Sequence, residues 1–325
     1  MPLPAHAGLC QIARVDLVPT IDISQPSNTE LAAVDAACRD HGFFLLRGHG
    51  LDDLVTRMWQ ETERFFEAPA AVKEAIRRNE TQPLGWNDRE LTKRRRDCKE
   101  VFDYMQPGSE FGEVRNRWPD ALPGFRETQH QFFAAFSDLA ARTLALVERA
   151  LGAPAGRIVG SAAASTVRLN WYPTVDPVPE KEREGLAELG DNALGYHTDP
   201  GVLTLLLQDA TGGLQAHSRA EGWIDVPPAE GTIVVNLADS LQVWSNDRYR
   251  AAVHRVTPIK RQSRYSIPYF YNPTMDAVIE PIAELGSEPP LYRPFTWREF
   301  ILARAHDNYT DLGAEDTQAS HFRVR

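Results

Sequence analysis

The sequence predicts a mainly β fold with helical additions at both ends, and three observations carry that expectation. From about residue 165 the chain breaks into short β-like runs separated by Gly, Pro and Asn/Asp clusters: 165–172, 202–208, 213–217, 223–226, 232–237, 241–245, 252–257 and 264–271. Eight short strands at that spacing suggest a sandwich or jelly roll rather than alternating β-α units. Second, the first 150 residues carry helical periods, and a last helix is expected at about 296–305. Third, a chain of 325 residues is long for one domain, yet a single core with helical decoration is allowed. The expected organisation is a mixed, mostly helical region over 1–160 packed on a β core with its C-terminal helix over 161–325, together one catalytic unit.

The elements follow in order. Residues 18–23 (VPTIDI) read as a short strand, and Ser27-x-x-Glu30 as a capping box opening a helix through about residue 39. Phe43-Phe44-Leu45-Leu46 suggests a second strand. Apolar residues at Leu51, Leu54, Val55, Met58, Trp59, Phe65 and Phe66 give a helical period over 51–66. Pro69 restarts a shorter helix through about residue 78. After the polar, basic stretch 79–100, a long helix is expected over 123–151, closed by Gly152. In 166–172, Val167, Leu169 and Trp171 alternate against Thr166, Arg168, Asn170 and Tyr172, so the polar face either meets water or lines the mouth of a barrel.

Composition narrows the function. A formal charge of −10 and the absence of a broad basic footprint argue against nucleic acid as a partner. The local exception is Lys93-Arg94-Arg95-Arg96 with Lys99. Cys10, Cys38 and Cys98 are too few and too scattered for a disulfide framework or a thiolate zinc site, which suggests a reducing compartment. Residues 1–16 lack the pattern of a signal peptide, and no run approaches ~18 apolar residues, so a cytoplasmic chain without a membrane partner is expected. Oligomeric state is left open.

The chemistry begins at GYHTDPG, residues 195–201. His197 and Asp199 are two apart, a spacing that places both on one face of a strand but on different sides of a helix. Alone the pair says little, because nine His and 45 Asp plus Glu yield roughly one such pair by chance. His254 supplies the third candidate, set in the apolar run Ala252-Val253-His254-Arg255-Val256. Two imidazoles and one carboxylate would leave three adjacent coordination positions of iron(II) open to O2 and an organic ligand. Arg264 and Ser266 are again two apart, and a guanidinium beside a hydroxyl can grip a carboxylate. Pro258 and residues 260–263 look like a turn, so 252–257 and 264–271 read as hairpin partners in one sheet.

An ordered series of segments supports these candidates: VPTIDIS (18–24), GFFLLRGHGL (42–51), FFEAPAAVK (65–73), CKEVFDY (98–104), NWYP (170–173), HTDPGVLTLLLQD (197–209), GGLQ (212–215), GWIDVPP (222–228), GTIVVNLADSLQVWSN (231–246), HRV (254–256) and RYSIPYFYNP (264–273). Over nearly the whole chain this resembles the iron(II)- and 2-oxoglutarate-dependent dioxygenases related to isopenicillin N synthase and the plant flavonoid oxygenases. The resemblance implies a double-stranded β-helix (jelly-roll) core, with His197, Asp199 and His254 on iron(II). It also implies that Arg264 and Ser266 grip the distal carboxylate of 2-oxoglutarate, that Asn170 and Tyr172 add cosubstrate contacts, and that Phe270 faces a small organic substrate. The implied reaction uses O2 and 2-oxoglutarate to oxidise a C–H bond by hydroxylation, desaturation or ring closure, releasing succinate and CO2.

Three rivals stand beside that expectation: an oxidase that uses O2 without 2-oxoglutarate, a non-catalytic jelly roll that binds a small molecule, and a zinc hydrolase or isomerase on a similar barrel. Two segments depart from the resemblance. The link 174–196 is long and acidic and reads as a lid or a solvated loop. The basic run 93–96, if it faces inward, would favour an anionic substrate.

Overall fold

A computed structural model describes residues 18–79, 81–92, 94–109, 115–219, 221–305 and 317–324; Cys10, Lys93 and the 1–16 segment lie outside them. In chain order the strands are β1 (Thr20–Asp22), β2 (Phe43–Arg47), β3 (Gly85–Asn87), β4 (Leu91–Thr92), β5 (Arg95–Arg96), β6 (Glu100–Met105), β7 (Ser161–Tyr172) and β8 (Leu194–His197). They continue with β9 (Leu203–Gln208), β10 (Leu214–Ser218), β11 (Gly222–Asp225), β12 (Ile233–Leu237), β13 (His254–Val256), β14 (Arg264–Asn272), β15 (Val278–Ile279) and β16 (Phe295–Thr296). The helices are α1 (Asn28–Asp40), α2 (Asp52–Phe66), α3 (Ala70–Glu74), α4 (Phe125–Leu151), α5 (Asp239–Trp244) and α6 (Trp297–Ala305).

Eight strands form one sheet in the order β1-β2-β12-β9-β14-β7-β6-β3, and four form a second in the order β11-β10-β13-β8. Between the sheets lies a small apolar cluster, with Phe43, Leu45 and Val234 from the first meeting Leu214, Ala216 and Ile224 from the second. This is the jelly-roll core. The main hydrophobic core lies on the other side of the large sheet, where Val167, Leu169, Ile267 and Tyr269 pack with Phe132, Phe133 and Phe136 of α4. Side-chain alternation therefore sends one set of residues on β7 and β14 to the helices and the other set into the space between the sheets. The polar set of β7 faces that interior, and Asn170 and Tyr172 are buried there.

Local chemistry explains the elements that the sequence announced. Ser27 caps α1, accepting from the Thr29 N–H at 3.1 Å, while Glu30 accepts from the Ser27 N–H at 3.1 Å. Gly152 ends α4 at φ 74, a left-handed conformation that costs a glycine little. Pro69 caps α3 as expected, but that helix stops at Glu74, because the Arg78 N–H turns to the Trp86 carbonyl at 2.9 Å.

Three expectations are corrected. Residues 241–245 lie in α5 and its C-cap, not in a strand. The N–H groups of its first turn bond to carbonyls of the loop after β8, Asp239 to Asp199 at 2.8 Å and Ser240 to Pro200 at 3.2 Å, and curl the chain. Short apolar runs cannot separate the two states by periodicity. Second, 252–257 and 264–271 are not hairpin partners: β13 pairs with β8 and β10 in the small sheet, β14 with β7 and β9 in the large one. Turn residues set a reversal of direction, not the sheet that receives the next strand. Third, the stretch 79–100 hides β3, β4 and β5, and β6 begins at its end. Every residue of β6 is buried, yet Glu100 and Asp103 break its apolar pattern.

Phe102 connects sheet to helices, with ring centroids 4.9 Å from Phe65 of α2 and 5.5 Å from Phe125 of α4. Phe102→Ala is expected to cost about 3–5 kcal/mol of unfolding free energy. Val278→Ala, at an exposed site, should stay within about 0.5 kcal/mol. Urea midpoints of the two variants check this.

Candidate active site

His197 ends β8, and Asp199 sits in the loop that follows rather than on the same strand. His254 opens β13, directly opposite His197 in the antiparallel ladder. The two rings are 4.3 Å apart between centroids. Donor atoms of His197, Asp199 and His254 all fall within 4.8 Å of one another, the one such cluster of metal-competent side chains among the described residues.

Each ligand candidate is aimed by a neighbour. The Nδ1 of His197 lies 2.9 Å from the Gly195 carbonyl and the Nδ1 of His254 lies 2.9 Å from the Ala252 carbonyl. A proton on each Nδ1 satisfies those acceptors and leaves the Nε2 lone pair for a metal. Both Nε2 atoms face Asp199 Oδ1, at 3.6 and 3.8 Å. Asp199 Oδ2 accepts from Thr204 Oγ1 at 2.6 Å and from Asn236 Nδ2 at 2.8 Å. One carboxylate oxygen is thereby tied down and the other is turned to the imidazoles.

Charge states agree with that geometry. Burial, reinforced by the neighbouring His254, pushes the His197 imidazole down to about 3, which keeps it neutral. Burial pushes the Asp199 carboxyl up, but the two imidazoles and the bonds from Thr204 and Asn236 outweigh it and hold the group below its ordinary value. Two imidazoles beside one carboxylate are the donor set that iron(II) accepts with positions to spare.

Across the interior, β7 and β14 present a second set. Arg264 is register partner of Tyr172, and Ser266 of Asn170. Asn170 Nδ2 donates to Ser266 Oγ at 3.3 Å, and the Arg264 guanidinium lies 5.0 Å from the centroid of the Tyr172 ring. Arg264 is 1% exposed, and its Nε donates to the Gly212 carbonyl at 2.8 Å. Its Nη1 is buried without a hydrogen-bond partner among the described residues. A buried, always-charged donor left unpaired is costly unless an anion arrives to meet it. Phe270 lies further along the same face of β14, opposite Thr204 of β9.

Four residues of the site went unread in the sequence. Thr204 and Asn236 stand as polar residues inside the apolar runs of β9 and β12, and a polar side chain in a buried strand needs a partner. That signal was available. Asp239, pushed up to about 6 by burial, and Arg304 of α6, 3.0 Å from it, carry no such local mark.

The link 174–196 is fastened to the basic run. Arg96 makes two 2.7 Å bonds to Asp176, Arg95 pairs with Glu188 at 2.5 Å, and Arg89 with Glu182 at 2.8 Å. Arg95 and Arg96 are thus met by the acidic link, which is why their charge does not argue for an anionic substrate.

Comparison with known proteins follows the same lines. Residues 164–273 match the family model of the 2OG-Fe(II) oxygenase superfamily, and residues 18–121 match the model described as non-haem dioxygenase in morphine synthesis N-terminal. The chain is 31% identical over 333 residues to gibberellin 2-beta-dioxygenase 4 of Arabidopsis thaliana, covering 98% of each. It is 31% identical over 299 residues to homoarginine-6-hydroxylase 2-ODD-233 of Oryza sativa subsp. japonica, covering 83% of this chain and 88% of the relative. Among solved structures, JOX2 in complex with 2OG, Fe and JA superposes with a TM-score of 0.76 at 26% identity, over 95% of this chain and 89% of that one.

Because His197 is held neutral by its surroundings, its contribution to the stability of metal-free protein has a definite sign. Its folded pKa lies below the ordinary 6.5, so the unfolded chain takes up a proton first, and that stability is lost as pH falls from about 6.5 toward 3. Asp239, raised, acts in the opposite direction between its ordinary 3.8 and about 6. The difference between wild type and His197→Gln cancels the Asp239 contribution. That difference in unfolding free energy is expected to shrink as pH is lowered across the window, measured by urea titration at several pH values.

Proposed function

The chain belongs to the iron(II)- and 2-oxoglutarate-dependent oxygenases, and from that premise we propose how its own residues divide the work. It is an oxidoreductase acting on small molecules, with iron(II), 2-oxoglutarate and O2 as its cofactor and cosubstrates. In our reading His197, Asp199 and His254 hold the iron, and Arg264 with Ser266 binds the far carboxylate of 2-oxoglutarate. The observation that carries this reading is the buried, unpaired Nη1 of Arg264 across the interior from the three converging donors. Asn170 orients Ser266 through their shared hydrogen bond, and Tyr172 flanks the guanidinium. Phe270, farther along that face, contacts the organic substrate.

When bound, the iron and 2-oxoglutarate turn O2 into an oxidant for a C–H bond, with succinate and CO2 as coproducts. The protein contributes position and exclusion. Arg264 and Ser266 fix the cosubstrate at one end, while Thr204 and Asn236 fix the carboxylate at the other. The walls between the sheets keep bulk water from the reacting atoms. No general base is assigned, since no side chain is needed to take a proton from carbon in this scheme. The remaining parts of the reading are a single catalytic unit formed by 1–160 and 161–325, a cytoplasmic location, and no nucleic-acid partner, the last resting on the charge of −10.

The test is turnover with Fe(II) against panels of amino acids, short peptides and aromatic natural products, following succinate release and product mass together. One succinate per oxidised product is expected; full turnover without succinate would return the O2-only oxidase. Arg264→Ala should raise the KM for 2-oxoglutarate roughly thirtyfold or more, since truncating one side of a buried charged hydrogen bond costs about 2 kcal/mol or more. Arg264→Lys should recover only part of it, because an ammonium lacks the planar fork.

A further inference from the structure

We propose that Arg304 is a positioning residue for the metal centre: from the C-terminal helix it clamps the loop that joins His197 to Asp199. Its Nη2 donates to the carbonyl of Thr198, the residue between the two ligand candidates, at 2.5 Å. Its Nη1 reaches Asp239 Oδ2 at 3.0 Å and Gln318 Oε1 at 3.2 Å. Asp239 also accepts from Thr198 Oγ1 at 3.2 Å, and its backbone N–H donates to the Asp199 carbonyl at 2.8 Å. Ser240 closes the set, its N–H and Oγ both donating to the Pro200 carbonyl, at 3.2 and 2.9 Å.

The loop is thus held from two sides, by the first turn of α5 and by one guanidinium from α6. The clamp is built at low exposure, with Asp239 buried and the Arg304 side chain 14% exposed, so its charge-assisted bonds are weakly screened. A planar fork can serve a carbonyl and a carboxylate in different segments at once, which one ammonium cannot do in the same geometry. Asp199 has little room to rotate: Oδ2 is fixed by Thr204 and Asn236, and its main chain is fixed by Asp239. A shift of the Thr198 peptide would move both ligands relative to His254, which sits on a separate strand. Second-sphere partners of this kind typically change metal affinity by about 10–100-fold.

The proposal rests on His197, Asp199 and His254 being the ligands, and the experiment separates the two. Full-length metal-free protein is titrated anaerobically with Co(II), read by its visible d–d absorption, for wild type, Arg304→Ala, Arg304→Lys, His254→Ala and Arg298→Ala. The last removes an exposed arginine from the same helix. Arg304→Ala is expected to weaken Co(II) binding about tenfold or more, Arg304→Lys to fall between, and Arg298→Ala to match wild type. The urea midpoint of metal-free Arg304→Lys should stay near wild type, and its succinate released per product should rise. If His254→Ala abolishes Co(II) binding while Arg304→Ala stays within about twofold of wild type, the clamp alone is overturned. The clamp also falls if both Arg304 variants lower the metal-free midpoint in step with affinity, since that marks general loosening. Wild-type Co(II) binding by His254→Ala would remove the ligand assignment and the clamp with it.

Discussion

The site depends on keeping one carboxylate ionised in an interior that disfavours its charge. Desolvation works against Asp199; the two imidazoles oppose it most, and two donors, Thr204 and Asn236, add to them by binding a single oxygen. The asymmetry matters. Had the bonds been shared between Oδ1 and Oδ2, the carboxylate would be stable but spent. Concentrated on Oδ2, they leave Oδ1 directed to a point that the two imidazoles also address. Charging His197 would cost burial energy, so the same desolvation that strains the aspartate keeps the His197 Nε2 lone pair free to coordinate.

Jelly-roll topology then distributes the chemistry over two walls. The histidines stand on adjacent strands of the small sheet, and Arg264, Ser266, Asn170 and Tyr172 stand on adjacent strands of the large one. This is why the crossing between β13 and β14 is informative. A local hairpin would have placed Arg264 beside His254 in one sheet, on a shared surface. The crossing puts the cation on the other sheet from the histidines, the arrangement that the proposed grip on a dicarboxylate by its two ends requires.

How much of this was readable from residues follows from how local the signals are. His197, Asp199, Arg264, Ser266, Asn170 and Tyr172 each come in a two-residue spacing within a short segment, so sequence presents them as pairs. His254 needed the pairs to become meaningful. The strands at 203–208, 214–218, 233–237 and 264–272 carried turn signals at both ends and emerged within a residue or two. What failed was of another kind. Helix α5 is dictated by hydrogen bonds to a loop 40 residues earlier, and β6 hides because its charges are buried and paired rather than exposed. Arg304 reaches a loop about a hundred residues away, and no periodicity encodes that distance.

The buried charges of β6 and the segment before it show what such hidden pairing achieves. Glu90 accepts from Arg78, Lys99 and Arg168, and burial, which would push its carboxyl up, is outweighed so that it sits well below its ordinary value. Asp103 accepts from Arg78 and from its register partner Arg168, two residues before Asn170 on the inward face of β7. Lys99 also meets Asp97 at 3.2 Å, and Asp97 accepts from the Gly195 N–H at 3.3 Å. Gly195 in turn offers its carbonyl to His197. Paired ions in an interior contribute little net stability compared with apolar residues of the same volume, but removing one partner leaves a stranded charge. The network therefore constrains more than it stabilises: it fixes the far edge of the large sheet against the strand that carries His197. The two ligand candidates of that strand and loop are consequently approached from opposite directions, His197 through Asp97 of the N-terminal half and Asp199 through Asp239 and the C-terminal helix. A metal centre assembled from strands and loops between residues 197 and 254 is held in register by segments that lie well before and well after it in the chain.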